Sequence, residues 1–325
     1  MTTRAETAGR AAPANLREWG LVARHALLTV VRGAALIVAI WILAEVRGNV
    51  PITTQVTAVL VSLGCLYIAL GSGARSWAFY IVLFVLFAML RAHADEIGTP
   101  VQFDYAITAE KALFLGWYPQ TWLQDNLYTH QQLGVLEAYT MAVYLSYFFA
   151  PHIIALILWK WDRPNFRLFA PAFLITIYIG LVVCALVPTA PPWMASEAGK
   201  LPVVYQIVPD ILDAQAPGLY QAGENSAGSN AVAAMPSLHS AVPWLMAIAL
   251  WKYRFARWPA VWYAASMSFA VLYLGEHYFV DAMAGLATAA VAWLGARRLL
   301  RWWEARKPAE DRRVNALPEP APNSA

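Results

Sequence analysis

The feature that most constrains this chain is a succession of apolar runs separated by short polar links. Eight runs lie at roughly 26–46, 52–70, 76–90, 135–159, 168–188, 238–251, 258–275 and 280–300. A bilayer core of about 30 Å takes about 20 apolar residues in helical form. The shorter runs reach that length by extending into the residues that flank them. The predicted fold class is all-α: a polytopic integral membrane helical bundle of about eight transmembrane helices. Composition agrees, with 60% hydrophobic and only 13% charged residues among 325, which excludes an ordinary soluble core. Fifteen Trp and fifteen Tyr suit aromatic belts at two interfaces. Cys65 and Cys184 both fall inside apolar runs, so no disulfide is expected.

Basic residues orient the bundle. One set of links and ends holds 18 of them: Arg4, Arg10, Arg17 and Arg24; Arg75; Lys160, Arg163 and Arg167; Lys252, Arg254 and Arg257; and seven from Arg297 to Arg313. The opposite loops hold four, Arg47, Arg91, Lys111 and Lys200, and Arg32 lies within the first run. Positively charged loops stay in the cytoplasm. Both termini are therefore expected there, and the first run reads as a retained signal-anchor. The net charge of +3 reflects this topology, and no nucleic-acid partner is expected.

Five segments follow: 1–25, a cytoplasmic N-terminal segment; 26–90, three transmembrane helices; 91–134, an extracytoplasmic interfacial loop; 135–300, a catalytic membrane domain; and 301–325, a disordered cytoplasmic tail. In 91–134, acidic residues alternate with Trp117, Tyr118 and Trp122, a pattern that suits short helices lying at the interface. Residues 194–235, rich in Gly, Asn, Ser and Gln in their later half, read as a cap over a site.

The chemistry concentrates between Pro236 and Asp281. Pro236-Ser237-Leu238-His239 opens this stretch and His277-Tyr278-Phe279-Val280-Asp281 closes it. Two apolar helices joined by the basic link 252–258 return the chain to the surface it left, so His239 and His277 can meet. Asp281 follows His277 by four residues and shares its helical face. Two imidazoles and a carboxylate suit phosphoryl transfer: one imidazole attacks phosphorus while the carboxylate fixes its tautomer, and the other protonates the leaving oxygen. Pro236 suits a first helical turn, where free N–H groups and the Ser237 hydroxyl form a phosphate cradle.

These residues resemble the type 2 phosphatidic acid phosphatase superfamily, whose second motif reads PSGH and whose third reads SRxxxxxHxxxD. Leu238 replaces the Gly. The PSLH spelling, the HYxxD with Gly285 after it, and the segment Ala190-Pro191-Pro192-Trp193 look most like the inositol-phosphorylceramide-synthase branch. The resemblance covers about Gln120 to Leu300. It implies a six-helix lipid-phosphatase-like core, His277 as nucleophile through a phosphohistidine, Asp281 as its orienting carboxylate, and His239 as general acid and then base. Ser237, Pro236, Leu238, Tyr278, Glu276, Pro192 and Trp193 are the candidate substrate-binding residues. No cofactor or metal is required by this scheme.

The departures from the motifs carry information. Ala270 and Val271 stand where the SR pair belongs, and no Lys or Arg lies between Arg167 and Lys200, where the first motif KxxxxxxRP would supply them. A phosphomonoester carries nearly two charges and calls for a cationic clamp, whereas a phosphodiester carries one. The expected function is therefore a membrane phosphotransferase that moves an inositol-phosphate-like head group between lipids on the extracytoplasmic face. Lys200, Lys111 or Arg91 are the candidates to supply a charge from the outer loops. The alternatives are a phosphatase acting with water on a lipid phosphate or polyprenyl pyrophosphate, and a non-enzymatic lipid transporter or scramblase. The expected partners are membrane lipids, phospholipid or polyprenyl phosphate.

Overall fold

The computed structural model describes residues 75–91, 94, 98–215 and 230–306, with isolated positions at 28, 31, 32 and 35. Beyond those positions, the runs expected at 26–46 and 52–70 lie outside the described residues, as do 216–229 of the expected cap and the tail after Arg306. The described residues hold eleven helices and no strand: α1 Arg75–Arg91, α2 Asp104–Leu113, α3 Pro119–Leu127, α4 Val135–Ser146, α5 Ala150–Trp161, α6 Arg163–Leu186, α7 Pro192–Glu197, α8 Ile207–Gln215, α9 Leu238–Leu250, α10 Arg257–Tyr273 and α11 Phe279–Ala305. Two compact units divide the chain, residues 1–86 and 87–325. In the first, Trp77 and Tyr80 of α1 meet edge to face at 5.3 Å. The second holds everything from Phe87 onward.

The expected eight spans are not what the described residues show. Two helices, α6 and α11, are long and apolar enough to cross a bilayer alone, and α4 with α5 makes a third if the pair is one span bent by 52°. The run at 135–159 is therefore not a straight helix. It breaks at Tyr147–Phe149, and Pro151 then stands in the first turn of α5, where a missing N–H costs least. The α9 helix has 13 residues, about 20 Å by helical rise and well short of a 30 Å core. Ile153, Leu156, Val182, Leu186, Val291 and Leu294 are all exposed, as lipid-facing side chains are. With the apolar length of α6 and α11, they define an integral membrane protein.

The second unit is assembled around α9. This helix packs chiefly on α10 and α11 and also on α6, and α6 packs in turn on α11. The α9–α10 hairpin expected from the sequence is present, and its basic link is anchored. Lys252 pairs with Asp162, whose carboxylate also accepts the Tyr253 hydroxyl at 2.5 Å and caps α6 through the Asn165 N–H at 3.1 Å. Asn165 adds an amide bond to the Ala249 carbonyl, 2.9 Å. One acidic residue thus joins two helix connections at the same end of the bundle.

Two glycines set the helix spacing near the histidines. A Cβ on Gly285 of α11 would stand 2.4 Å from the Ser237 carbonyl, so the N-terminus of α9 lies directly against α11. A Cβ on Gly180 of α6 would stand 2.6 Å from a Leu238 methyl. The leucine that replaces the motif glycine is thus accommodated by a glycine on the facing helix. Gly295, further along α11, has nothing within 4 Å of its Cβ position. Gly285→Ala is expected to destabilise the protein by about 1–3 kcal/mol, the usual cost of overpacking, and Gly295→Ala to stabilise it by about 0.5–1 kcal/mol through helix propensity. Thermal unfolding of both variants in detergent measures the contrast.

Candidate active site

His277 stands in the turn between α10 and α11. That turn needs Gly275, whose φ of +82° disfavours any side chain and whose Cβ would lie 2.3 Å from the Tyr205 carbonyl. The N–H groups of Glu276 and His277 both fold back to the Val271 carbonyl, at 3.0 and 3.1 Å. Gln124 of α3 fixes the turn from outside. Its amide N–H groups donate to the carbonyls of Tyr205 (2.9 Å) and Tyr273 (2.8 Å), and its oxygen accepts the Tyr205 N–H at 2.8 Å. The side chain is buried, and three bonds nearly exhaust what a glutamine can make.

The imidazole of His277 is held by its Nδ1, which lies 2.9 Å from the Ala234 carbonyl. A carbonyl can only accept, so Nδ1 carries the proton and the Nε2 lone pair is left for chemistry. Ala234 is placed by a short crossing of three segments. Thr189 N–H donates to Val232 O at 2.7 Å, Ala234 N–H to Thr189 O at 3.2 Å, and Ala190 N–H to Gln102 O at 3.0 Å. Asp281 lies behind the ring, its Oδ2 3.6 Å from Nδ1, too far for a hydrogen bond. That oxygen instead accepts the Tyr278 N–H at 2.8 Å and caps α11. The carboxylate is fully buried and its Oδ1 has no hydrogen-bond partner. The bond that fixes the tautomer is thus to a backbone carbonyl, and Asp281 supplies a charge behind it.

His239 occupies the first turn of α9. Ser237 caps that turn, accepting the Ser240 N–H at 3.3 Å, while its own N–H donates to the Asp281 carbonyl at 3.1 Å. The His239 ring stacks on Tyr144 at 4.6 Å and 21°, lies against Tyr147 at 4.3 Å, and stands 5.7 Å from the ring of His277. Its Nε2 has no hydrogen-bond partner. Both histidines open onto one cavity of about 130 Å³.

Of the candidate residues, His239, His277, Leu238, Glu276 and Trp193 line this cavity. Asp281 backs it. Four do not reach it. Ser237 is buried as a helix cap, because its hydroxyl serves the backbone of α9. Pro236 lines a neighbouring apolar crevice. Tyr278 is buried against Ala106, Ala195 and Leu201, since the residue after His277 turns away from it. Pro192 starts α7, and its neighbour Pro191 lines the cavity instead. Glu137, in the first turn of α4, is taken up by the Tyr273 hydroxyl. Sequence reasoning missed Asn230 and Gln206 as lining residues. Tyr144 and Tyr147 line it too, and their spacing of three places them on one helical face.

The chain belongs to the PAP2 superfamily, whose family model matches residues 105–295, more than half the chain and both histidine motifs. The match begins inside the segment expected as an interfacial loop. An inositol phosphorylceramide synthase from Candida albicans is 29% identical over 165 residues, 47% of this chain and 34% of that protein. The chain therefore spans about a third of the length of the curated relative it matches. No solved structure matches it.

One further carboxylate supports the turn. Glu110 of α2 is buried and accepts the N–H groups of Phe279 (2.5 Å) and Val280 (3.2 Å) through Oε1, the free donors at the start of α11. Burial pushes its pKa from 4.5 up to about 7, the two backbone bonds oppose that, and the Asp281 charge adds to it. The folded state therefore holds this proton more tightly than the unfolded chain does. Between pH 4.5 and 7 the unfolded chain has already released it, so rising pH costs stability across that window. The wild-type melting temperature minus that of Glu110→Gln is expected to fall as pH rises from 4.5 to 7 and to level off above it. Parallel melts of the two proteins across pH give this difference.

Proposed function

We propose that this protein is a lipid phosphotransferase that moves a phosphorylated, hydroxyl-rich head group from one membrane lipid to another through a phosphohistidine. The observation that carries the reading is the pair of imidazoles 5.7 Å apart on one cavity, with the proton of His277 fixed on Nδ1. In the first step Nε2 of His277 attacks phosphorus, and the bond to the donor's leaving oxygen breaks. His239, protonated once the anionic phosphate is bound beside it, gives its proton to that oxygen, which leaves as an alcohol. The positive charge that develops on His277 is met by Asp281. In the second step neutral His239 takes the proton of the acceptor hydroxyl, whose oxygen attacks phosphorus as the N–P bond breaks. Both histidines return to their starting states. Dividing one displacement into two is what covalent catalysis contributes.

Transfer is favoured over hydrolysis by what surrounds the pair. The cavity wall carries Gln206, Asn230 and Glu276, and the Gln206 amide donates to Glu276 at 3.2 Å. Amides and a carboxylate at this spacing suit a head group with several hydroxyls. The fungal relative, named as an inositol phosphorylceramide synthase, supports the same class. The distribution of basic residues supports cytoplasmic termini and a cavity on the outer face.

Purified protein supplied with a panel of phospholipids and lipid alcohols is expected to yield a new phosphodiester lipid by mass spectrometry. His277→Ala is expected to abolish it, and His239→Ala to slow it by about 10²–10⁴-fold, the usual worth of a general acid. Free phosphate without transfer would establish a phosphatase instead. Equal activity of His277→Ala and wild type would refute the covalent scheme.

A further inference from the structure

The motif cations of the superfamily are absent from this chain, yet a phosphate in the cavity needs a counter-charge. Of the three outer-loop cations named as candidates, Lys200 is held by Asp104 at 2.7 Å and lies over Phe103. Lys111 is exposed on α2 and does not line the cavity. Arg91, at the C-terminal end of α1, does line it, together with both histidines. It is the one cation among the described lining residues and stands close enough to act electrostatically on His239. No carboxylate among the described residues pairs with it.

A second donor is prepared beside it. Asn230 is buried, with 6% of its surface exposed, and it lines the same cavity. Its Oδ1 accepts the Val232 N–H at 3.0 Å, which fixes the orientation of the amide, and its Nδ2 has no hydrogen-bond partner among the described residues. Val232 is itself held by the Thr189 crossing. A buried amide without a partner is costly, and an anion in the cavity removes that cost.

Arg91 also lines the apolar crevice beside the cavity, with Phe87, Gly180, Cys184, Pro236 and Leu238. Arg91 therefore stands where a polar space and an apolar one adjoin, with Leu238 and Ala233 common to both. That is the layout a lipid phosphodiester demands, with its head group on one side of the phosphate and its carbon chain on the other. We infer that Arg91 and Asn230 form the phosphate cradle of this site, in place of the missing motif cations. Arg91 neutralises the single charge of a phosphodiester through its two-pronged N–H fork, and the Asn230 amide donates to a second oxygen. This rests on the phosphoryl-transfer reading of the histidine pair and not on which head group is moved.

Orthovanadate is the probe, since it takes the shape of the transferring phosphoryl group and needs no lipid. Its binding is read from the rise in melting temperature with vanadate concentration, on the full chain in detergent. Arg91→Gln is expected to weaken binding by about 10–100-fold, as befits a charged hydrogen bond, with Arg91→Lys recovering part of the loss. Asn230→Ala is expected to weaken it by about 5–10-fold, and Lys200→Gln to bind as the wild type does. If Arg91→Gln misfolds, Arg91→Lys and Asn230→Ala still decide the matter. Wild-type affinity in the Arg91 and Asn230 variants would overturn the cradle alone. Absence of vanadate binding to the wild type would overturn the phosphoryl-transfer reading itself.

Discussion

The N-terminus of α9 meets the side of α11 at a distance that only a glycine allows, and the candidate site is built on that contact. Gly285 brings the Ser237 carbonyl against α11, and the Ser237 N–H reaches the Asp281 carbonyl. Each histidine belongs to one of the two helix starts joined in this way. A gap wider by one methyl group would separate His239 from His277 and loosen the cap that Asp281 forms. The hairpin of α9 and α10 supplies the approximate return of the chain. Backbone contact between helix starts supplies the final few ångströms.

A membrane protein has no hydrophobic force to press its helices together within lipid, so small residues and polar bonds must set their spacing. This chain uses both at each end of the second unit. At the end carrying the basic links, Asp162, Lys252, Tyr253 and Asn165 tie α6 to the α9–α10 connection. At the site end, Gln124 and Glu110 reach in from α3 and α2 to hold the turn before α11 and the start of α11. The short amphipathic helices are therefore part of the support of the site. That is consistent with a family match that begins at residue 105.

Much of the site was legible in the residues themselves. His239, His277 and Asp281 announce themselves by type and spacing, and the helical hairpin between them predicts that they converge. Other features left no such mark. The tautomer of His277 is set by the carbonyl of Ala234, and every residue has a carbonyl, so no side-chain pattern reports it. Asn230 and Gln206 come from loops whose course no periodicity fixes. Ser237 was read as a hydroxyl donor to phosphate, yet its hydroxyl caps α9, and Tyr278 is buried away from the cavity. The eight expected spans treated apolar length as if each run were one straight helix. The break between α4 and α5 and the shortness of α9 arise from packing inside the bundle, which hydropathy does not record.

The sequence by itself determined the membrane setting, the helical class and the candidate reacting groups, because apolar runs and ionisable side chains carry that information locally. It also established that the motif cations are absent. Only the tertiary structure showed which basic residue lines the cavity. Arg91 lies almost 150 residues before His239 in the chain, and only the folding of residues from Phe87 onward into one unit brings it to the same cavity. Identity and spacing are local properties of a chain, whereas a counter-charge acts through space.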